Sequence, residues 1–381
     1  MINAVICEFN PFHNGHKYLL KTAAEKTGAD ATVCFMSGNF VQRGEPAVSE
    51  KHIRAAVAVK NGADLVFQIP TAHTLAGASV FARAGVSMAN ALGLETSLCF
   101  GSETEDISSL YKLAATDRQQ LSQVFKSKIA QGKSYARAVM EAYSECAGEN
   151  AEILRHPNNL LAFEYIKALT DLKSNIKPVN ILRRGSGHDS GKPKNGFASA
   201  SFLRAHKDDD VSEYVPQQPV FSVDAAKFDT LSLYSVYSKT ARQLSAYADM
   251  GEGLNNRVYA CSFKAATSEQ LISLIKSKRY THARIRRAVL NVLLENPAGL
   301  YKIPVKYMSV LAFNDRGRQL LKQLSMTCSL PIITKPSKAE ELKDSKAHFE
   351  LECRASDIYD FCSVKRHGKG REYTISPVYV R

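Results

Sequence analysis

Two histidines three residues apart follow an apolar, strand-like run near the start of the chain. Residues 5–7 (Val-Ile-Cys) lead into residues 8–16, which read Glu-Phe-Asn-Pro-Phe-His-Asn-Gly-His, and a helical pattern begins there. His13 and His16 lie on one face of the predicted helix, so both can donate to the same phosphate oxygens. The first turn of a helix offers free N–H groups and the positive end of its dipole, and Gly15 lets a ligand approach the backbone closely. The segment predicts a nucleotide phosphate site, against the alternative of two surface histidines beside a capping Asn.

Alternating strands and helices in the first two hundred residues must position these histidines. Strand-like apolar runs occupy residues 5–7, 31–36, 65–70, 97–101 and 179–182. Because helical stretches separate them, we predict right-handed βαβ units and a parallel sheet, an α/β fold that binds ligands beyond the carboxyl ends of its strands. The loops at that edge follow Cys7, Met36, Ile69 and Phe100. The first motif, residues 37–47 and Gly101 should therefore surround one crevice.

The chain divides into two predicted parts. Its length exceeds what one hydrophobic core usually organises. A Pro-Gln-Gln-Pro string at 216–219 ends the alternation of strands and helices, so we predict a boundary near 212–222. Residues 1–214 would form the nucleotide-binding catalytic domain. Residues 215–381 would form a mainly helical, basic domain.

Smaller segments have their own predicted structure. Residues 106–148 read as a helical insertion, and the Gly- and Ser-rich residues 185–196 read as a mobile loop. Residues 229–296 show mostly helical patterns. Residues 309–313 and 330–334 are strand candidates in a short mixed segment that closes the chain.

The charge of the chain indicates an anionic partner. Its 381 residues carry 50 Lys and Arg against 37 Asp and Glu, a formal net charge of +13. Each neutralised phosphate releases counterions, so this excess favours a nucleic acid, with a generally basic cytosolic protein as the alternative. No apolar run reaches about 18 residues and no signal peptide precedes the first strand, so we expect a cytoplasmic protein without a membrane partner. The eight cysteines include no CxxC pair, which argues against a zinc site or a disulfide framework.

The histidine motif resembles the HxGH signature of the nucleotidylyltransferase superfamily, and two longer strings resemble one of its branches. Residues 8–16 and residues 36–47 (Met-Ser-Gly-Asn-Phe-Val-Gln-Arg-Gly-Glu-Pro-Ala) are similar to the bacterial tRNA(Met) cytidine acetate ligases. The resemblance implies a Rossmann-like catalytic domain that binds ATP, with Mg²⁺ expected beside the nucleotide. It also implies an enzyme that activates acetate as acetyl-adenylate and acetylates N4 of the wobble cytidine of elongator tRNA(Met). It implies no stable protein partner.

The same resemblance assigns the residues of the nucleotide site. The expected catalytic residues are His13, His16 and Arg204. The expected ATP-binding residues are Ile6, Cys7, Glu8, Phe9, Asn10, Pro11, Phe12, His13, Asn14, Gly15, His16, Gly101, Asn158, Asn159, Arg183, Ser199 and Ser201. Gly101 follows a strand directly, where glycine permits close packing against a base or ribose but often marks only a turn. Asn158 and Asn159 open a predicted helix, so each can be an N-cap or can contact adenine or ribose, and the choice between them stays open.

Two further basic sites would neutralise the leaving pyrophosphate. Arg183 and Arg184 stand at the end of the fifth strand candidate, where they can hold phosphate oxygens or be an exposed basic pair, and we favour Arg183. The Gly-Ser-Gly-His-Asp stretch at 185–189 is one residue shorter than the family pattern and lacks its Tyr, which leaves the register open. Residues 198–204 (Ala-Ser-Ala-Ser-Phe-Leu-Arg) resemble the second superfamily signature, in which hydroxyls and helix N–H groups hold pyrophosphate and Arg204 offsets its charge. A Ser-capped surface helix is the alternative.

The densest basic stretch, residues 277–287, is the predicted RNA site. Its helical pattern places His282 on the apolar arc, so we expect that side chain to be packed. Arg284 and Arg287 should point away from the core, and Tyr280 near the helix start can stack on a base. The expected RNA-binding residues are Arg279, Tyr280, His282, Arg284, Arg286 and Arg287. An ordinary solvated helix face is the alternative.

Several catalytic motifs are missing from the sequence. It contains no GxxxxGK[ST] P-loop, no paired-cysteine metal site and no Gly-x-Ser-x-Gly elbow, so nothing suggests a covalent intermediate on the enzyme. Two other functions remain open. One is an adenylyltransferase acting on a small phosphorylated metabolite, which would leave the basic C-terminal part unexplained. The other is a non-catalytic RNA-binding protein that keeps a nucleotide fold as scaffold, against which the intact His13, His16 and Arg204 argue.

Overall fold

The protein is built from strands and helices that a computed structural model describes for residues 1–133, 135–149, 151–184, 193–341 and 344–381. The strands are β1 (Ile2–Cys7), β2 (Ala31–Ser37), β3 (Phe40–Val41), β4 (Glu45–Pro46), β5 (Leu65–Ile69), β6 (Thr96–Ser102), β7 (Lys177–Leu182), β8 (Met308–Phe313), β9 (Ile332–Ile333) and β10 (Val378–Tyr379). The helices are α1 (Asn14–Thr27), α2 (Lys51–Lys60), α3 (Thr71–Thr74), α4 (Ala78–Ala91), α5 (Ser108–Ala114), α6 (Arg118–Ala130), α7 (Tyr135–Ala147), α8 (Pro157–Asp171), α9 (Ala200–Ala205), α10 (Ala225–Tyr237), α11 (Ala241–Leu244), α12 (Leu254–Ser262), α13 (Ser268–Ile275), α14 (His282–Leu293), α15 (Asp315–Thr327), α16 (Lys346–Phe361) and α17 (Arg371–Thr374).

A twisted sheet organises the molecule, with the strand order β10-β8-β5-β2-β1-β6-β7 and β9 beside β8. The strands β5, β2, β1, β6 and β7 all pair in parallel. Numbered along the chain without the short hairpin β3–β4, these strands lie in the order 3-2-1-4-5, which is the arrangement of a Rossmann-like sheet. The predicted α/β fold class is therefore confirmed, and each strand predicted in the first two hundred residues is present.

Alternate residues of the strands face two helical layers, because successive side chains of a strand point to opposite faces. On one face Ala4, Phe35 and Phe67 join a buried cluster with α4 and α8. On the other face Val5 and Cys34 join a cluster with α1 and α2. Strands that are buried on both faces need continuous apolar runs, which is the pattern that the sequence shows.

The C-terminal part of the chain contributes to the same sheet. β8 pairs antiparallel with β5, and both β9 and β10 lie parallel to β8. The strands predicted at 309–313 and 330–334 are confirmed, and the sheet continues past the predicted boundary at residue 214. The helices predicted for 229–296 are α10 to α14, which enclose an apolar cluster of their own. The division of function between the two parts stays a prediction.

Two other segments complete the fold. The insertion predicted at 106–148 consists of α5, α6 and α7. The loop predicted at 185–196, with its Gly-Ser-Gly-His-Asp stretch, falls mostly on residues 185–192, which lie outside the described residues. Within the described ranges, every helix falls short of the length and apolarity that crossing a lipid bilayer requires.

Candidate active site

A cavity of about 400 Å³ opens at the carboxyl ends of β1, β6 and β7. The chain leaves β1 toward β2 on one side of the sheet and returns on the other side at β6. Open α/β sheets bind ligands at such a switch point, and the volume suits a nucleotide. The histidine motif, Gly101, the end of β7 and the start of α9 line this cavity together with residues of the β3–β4 hairpin. The sequence predicts the first motif, residues 37–47 and Gly101 around one crevice, and Arg183 and residues 198–204 separately as phosphate contacts.

The two histidines form the N-terminal cap of α1. His13 is the N-cap residue, and its Nδ1 accepts from Gly15 N at 3.0 Å. His16 Nδ1 accepts in turn from His13 N at 3.2 Å, and the two rings stack with their centroids 3.7 Å apart. A neutral imidazole donates from one nitrogen when the other accepts, so the proton of each ring is on Nε2. The capping bonds use one nitrogen of each ring and leave the other as a donor.

Both imidazoles are neutral at pH 7. Burial, with the cations of Arg183 and Arg204 nearby, lowers the pKa of His13 to about 3. Burial, together with His13 and Arg183, also holds the pKa of His16 well below its usual value. Two neutral N–H donors beside two guanidiniums can bind an anion and stabilise charge that develops on it, without any proton transfer.

A buried arginine, which no motif reveals, holds the backbone before the histidines. Arg54 on α2 is 2% exposed, and its guanidinium donates to the carbonyl oxygens of Glu8, Ser37 and Gly38. It therefore joins the end of β1 to the end of β2, where the two family strings lie. A basic residue on the buried face of an amphipathic helix is the signal in the sequence that could have found it.

The β3–β4 hairpin connects the cavity to the predicted RNA helix. Gln42 N donates to the Glu8 carboxylate at 2.6 Å, and burial raises the pKa of Glu8. Glu45 lies 3.9 Å from Arg204 and 4.0 Å from Arg286 on α14. Gln42, Glu8, Glu45 and Arg204 line the cavity. Gln42 and Glu45 lie within residues 37–47, which the sequence predicts around the crevice, but neither was assigned a role there.

Gly101 and Asn158 frame the guanidinium of Arg183. A Cβ at Gly101 would lie 3.2 Å from Arg183 Cγ, so the glycine leaves room for this side chain. Arg183 Nη1 donates to Asn158 Oδ1 at 3.4 Å, and both residues line the cavity. Asn159 is 1% exposed and accepts from Glu103 N at 2.9 Å, where it supports the loop after β6. The structure therefore places Asn158 at the cavity and Asn159 behind it.

Two details of this wall bear on the alternatives that the sequence left open. The N-cap of α8 is His156, with Pro157 in the first turn, so the interpretation of an asparagine as N-cap is wrong. Proline is favoured there because its missing N–H would lack a helical partner anyway. Arg184 also lines the cavity, and its guanidinium lies 4.6 Å from the centroid of the Tyr18 ring. Both arginines thus reach the cavity, and the preference for Arg183 stays a prediction.

The residues of the second signature are bonded to the first loop. Ser199 is the N-cap of α9, and its hydroxyl accepts from Phe202 N at 3.1 Å. Arg204 donates to Ser201 Oγ at 3.3 Å and to Asn10 O at 2.9 Å. Ser199, Ser201 and Arg204 all line the cavity. The serine cap and the cavity wall are the same residues, so the structural alternative and the functional one are compatible.

Some predicted ATP-binding residues lie outside the cavity wall, namely Pro11, Phe12, Asn14 and Asn159. Phe12 is buried, with its ring centroid 4.9 Å from that of Phe9. Asn14 donates to Gly196 O and to Glu213 O, both at 2.9 Å. These side chains hold the shape of the loop, and the other predicted ATP-binding residues line the cavity.

The arginines of the predicted RNA helix are paired with carboxylates. Arg284 lies 2.8 Å from Glu252, and Arg286 lies 2.9 Å from Glu269. Arg287 lies 2.9 Å from Asp249. An arginine that already has a carboxylate partner gains less from a phosphate, because the carboxylate must first be displaced.

Three residues of this segment occupy surroundings that differ from the prediction. Arg287 is 8% exposed rather than pointing to solvent, because the β3–β4 hairpin packs against that side of α14 at Gly44. Tyr280 is buried and donates to Glu252 O at 2.6 Å, so its ring is not open to stack on a base. His282 is exposed rather than packed, since it occupies the first turn of the helix. Arg279 is exposed, as expected for a phosphate contact.

The whole chain is similar to one family of proteins. The model of the HIGH Nucleotidyl Transferase family matches residues 1–372. A Thermoanaerobacter sp. (strain X514) protein named tRNA(Met) cytidine acetate ligase is 36% identical over 382 residues, which cover 94% of this chain and 94% of that protein. A Clostridium perfringens (strain ATCC 13124) protein of the same name is 34% identical over 408 residues, which cover 100% of both chains.

Solved structures of Thermotoga maritima TmcAL share the fold of this chain. Thermotoga maritima TmcAL bound with alpha-thio ATP has a TM-score of 0.90 and 28% identity, covering 100% of this chain and 99% of that one. The apo form of the same protein has a TM-score of 0.92 with the same coverage. Sequence identity above 30% along nearly the full length, and a shared fold over the whole chain, lead to one assignment. The chain belongs to the tRNA(Met) cytidine acetate ligase family of the HIGH nucleotidyl transferases.

Proposed function

We propose that the protein uses ATP to join acetate to a cytidine of tRNA(Met). Acetate would attack the α-phosphorus of ATP, and the bond to the β-phosphate would break to release pyrophosphate and leave acetyl-adenylate. The N4 amine of the wobble cytidine of elongator tRNA(Met) would then attack the acetyl carbonyl, and AMP would leave. Relatives similar to this chain are named for cytidine acetate ligation on tRNA(Met), and Thermotoga maritima TmcAL has been solved with alpha-thio ATP.

Four donors gathered on the cavity wall, the guanidiniums of Arg183 and Arg204 and the imidazoles of His13 and His16, are the observation that carries this proposal. Arg183 is exposed at the cavity wall, where partial desolvation lowers its pKa. Within the described part of the chain, its side chain makes one hydrogen bond, the 3.4 Å contact with Asn158. Its guanidinium therefore has donors left for a ligand, and an anion in the cavity can accept from them. A triphosphate is such an anion, and Arg204 with the Nε2 donors of His13 and His16 would share its charge.

Catalysis at this site would consist of positioning and charge stabilisation. His13 and His16 would donate to the oxygens of the α-phosphate as charge spreads over them in the transition state. Arg183 and Arg204 would hold the departing pyrophosphate with forked hydrogen bonds. Because both imidazoles are neutral, each remains a donor throughout the step and no side chain becomes covalently bound.

Mg²⁺ would arrive with the nucleotide. In the described ranges, no group of three or more His, Cys, Asp or Glu side chains is placed to hold a metal ion. Mg²⁺ is usually bound by substrate phosphates with one or two carboxylates rather than by an all-protein cage. Glu8 and Glu45 are carboxylates on the cavity wall that suit such a role.

The two parts of the chain would divide the reaction between them. Residues 1–214 would form acetyl-adenylate, and residues 215–381 would supply most of the tRNA contacts. The net charge of +13 supports a polyanionic partner of this size. Arg279 and His282 are the exposed members of the predicted RNA set and remain candidates for phosphate contacts. We expect the protein to act in the cytoplasm, where its tRNA substrate is found.

The test is to incubate the protein with ATP, acetate and elongator tRNA(Met), and to measure pyrophosphate and, by mass spectrometry, N4-acetylcytidine. We expect pyrophosphate release to require acetate, and acetylcytidine to require all three substrates. Acetate-dependent release without any acetylcytidine would contradict the second step. Release that requires a phosphorylated metabolite instead of acetate would favour the adenylyltransferase alternative.

A further inference from the structure

A loop after α16 presents a second cluster of positive charge. Residues 364–371, which we term the basic loop, carry Lys365, Arg366, His367, Lys369 and Arg371. The side chains of residues 364–369 are exposed, and Arg371 is half-buried. These residues belong to a different segment of the chain from α14, so they are a second candidate surface for an anionic partner.

Two carboxylates of α16 fix the backbone of the basic loop. Asp360 accepts from His367 N at 2.7 Å and from Gly368 N at 3.0 Å. Asp357 accepts from Gly370 N at 2.7 Å. Gly368 and Gly370 have φ values of 101° and 82°, which other residues rarely adopt. The helix below therefore fixes the backbone of the turn that carries these cations.

The cations of the basic loop are less neutralised than those of α14. Asp360 lies 3.3 Å from His367 and 4.0 Å from Arg366. In the part of the chain that the structure describes, Lys365 and Lys369 form no ion pair, whereas the arginines of α14 at 284, 286 and 287 all do. Free ammonium groups on a rigid turn attract a polyanion more strongly than arginines that must first release a carboxylate.

A cavity of about 370 Å³ adjoins the basic loop, whose residues Lys365, His367 and Arg371 form part of its lining. Apolar and aromatic side chains from three segments contribute further walls: Val220 and Phe221 before α10, Tyr359 on α16, and Ile375 after α17. A volume of this size holds a planar heterocycle, and aromatic walls favour stacking on one.

The acidic groups of this cavity determine which part of a nucleotide it can take. Glu50, Asp360 and Glu372 line it, and each is less than 9% exposed. Buried carboxylates repel phosphate but accept hydrogen bonds from the amino and imino groups of a base. The cations are at the exposed rim and the carboxylates are inside. A nucleotide would therefore enter with its base in the cavity and its phosphates on the basic loop.

One hairpin connects this second cavity to the nucleotide cavity. Asn39 lines the second cavity, and Gln42, three residues later, lines the first. A chain of three residues spans at most about 11 Å, which is roughly the length of three stacked nucleotides. A strand of RNA whose cytidine reaches the first cavity is thus long enough to place a neighbouring nucleotide in the second.

We infer that the basic loop and its cavity bind one unstacked nucleotide of a single-stranded RNA segment. Its phosphates contact Lys365, Lys369 and Arg371, and its base occupies the cavity. The inference rests on the proposed function, because a tRNA ligase must hold a single-stranded loop open around its target base. The nucleotide bound here flanks the one that is acetylated.

The first experiment measures tRNA binding by fluorescence anisotropy over a range of salt concentrations. Lys365→Ala with Lys369→Ala should weaken binding on the order of tenfold and reduce the slope of log K against log[salt] by about 1.4 to 1.8, since each phosphate contact contributes about 0.7 to 0.9. The matched control is Lys126→Ala with Lys322→Ala, which removes two exposed lysines from α6 and α15. A slope that falls equally in both double variants would overturn the assignment.

The second experiment locates the base. The chain contains no tryptophan, so a single introduced indole reports on its own surroundings. Val364→Trp places the reporter on the basic loop at a side chain that is 72% exposed, and Met326→Trp places a control on α15 at one that is 81% exposed. Addition of tRNA should quench the fluorescence of the indole at 364, and this quenching should saturate at the same tRNA concentration as the anisotropy. The fluorescence of the indole at 326 should not change.

Other outcomes separate the inference from the proposed function. Quenching by cytidine monophosphate at concentrations where tRNA has no effect would assign the cavity to a free nucleotide and overturn the RNA site. Equal quenching at 364 and 326 would also overturn it. Quenching of Val364→Trp by tRNA, together with a wild-type protein that releases no acetate-dependent pyrophosphate, would refute the proposed function and leave the RNA site standing.

Discussion

Replacing the two histidines by an ordinary capping pair separates their structural role from their chemical role. Many helices begin with Ser or Thr at the N-cap and Glu or Gln three residues later, in reciprocal hydrogen bonds. His13 and His16 make equivalent bonds through Nδ1. The variants His13→Ser and His16→Gln keep an acceptor for each capped N–H. They replace the imidazole Nε2–H, which faces the substrate in our proposal, by a shorter hydroxyl and by a flexible amide, neither of which is preorganised to donate there.

The expected loss of activity follows from the removed donor. Each variant should slow acetyl-adenylate formation by about 100- to 1000-fold, since one preorganised donor to a developing charge is worth about 2.7 to 4 kcal/mol. His13→Ala removes the cap as well, so it should be about 1 kcal/mol less stable than His13→Ser. The two variants of His13 should nevertheless be equally slow.

Acetate-dependent pyrophosphate release at saturating ATP gives the rate, and urea unfolding gives the stability. The pKa of His13, lowered to about 3, keeps the imidazole neutral over the whole assay range, so the loss should not depend on pH between 6 and 8. Wild-type activity in His13→Ser would mean that His13 is a cap and has no part in the chemistry. Rates that follow stability, with His13→Ser faster than His13→Ala, would refute the separation of the two roles.

Three further substitutions test buried charge and the hairpin. Lys51→Met should lower the free energy of unfolding by about 3 to 5 kcal/mol, because it leaves the carboxylate of Glu372, 2.7 Å from the ammonium, buried without its cation. Burial lowers the pKa of His348 to about 4, so an unfolded chain takes up a proton below about pH 6.5 that the folded chain does not, and stability falls as the pH falls. The loss of stability between pH 7 and pH 5 should therefore be about 2 kcal/mol smaller in His348→Phe than in the wild-type protein. Gly44→Ala should cost more than about 1 kcal/mol and raise the KM for ATP, because its φ is 82° and a Cβ would clash with Arg287 N.

Each of these substitutions has a control in the same chain. Lys60→Met changes an exposed lysine at the end of the same helix and should alter stability by less than about 0.5 kcal/mol. A pH dependence that persists in His348→Phe would assign the proton uptake to other groups such as His73, whose pKa burial also lowers to about 4. Gly77→Ala meets open space, so Gly44→Ala should be clearly the less stable of the two. Equal stability would contradict close packing of the hairpin on α14.

Local patterns predicted the parallel part of the fold and the first wall of the site. Apolar runs such as 31–36 and 65–70 are long enough for buried strands, and the helices between them leave few topologies. The spacing of His13 and His16 at a strand–helix junction is also local, so its position at the carboxyl edge could be predicted. The capping role of the two rings could not, because histidine is an uncommon N-cap residue.

Features that depend on distant partners could not be read from the sequence. Arg54 donates to four carbonyl groups, and three of them, at Glu8, Ser37 and Gly38, come together only when β1 and β2 pair. Tyr280 is buried, and its hydroxyl donates to the backbone oxygen of Glu252. Arg287 is buried because the β3–β4 hairpin, more than two hundred positions earlier in the chain, covers it. A single sequence shows the helix face on which a residue lies, but it does not show which surfaces later pack against that face.

The pairing of β5 with β8 has a consequence for how the chain must be made. Asn314, next to β8, bonds to Asp64, next to β5, across 250 positions of sequence. Until the ribosome has synthesised that distant partner, β5 is an edge strand with unpaired amides and carbonyls, open to other nascent chains. Contacts between residues that lie so far apart in the sequence form slowly during folding. A fragment that stops at residue 214 would keep this exposed edge permanently, so residues 1–214 depend on the rest of the chain for their solubility.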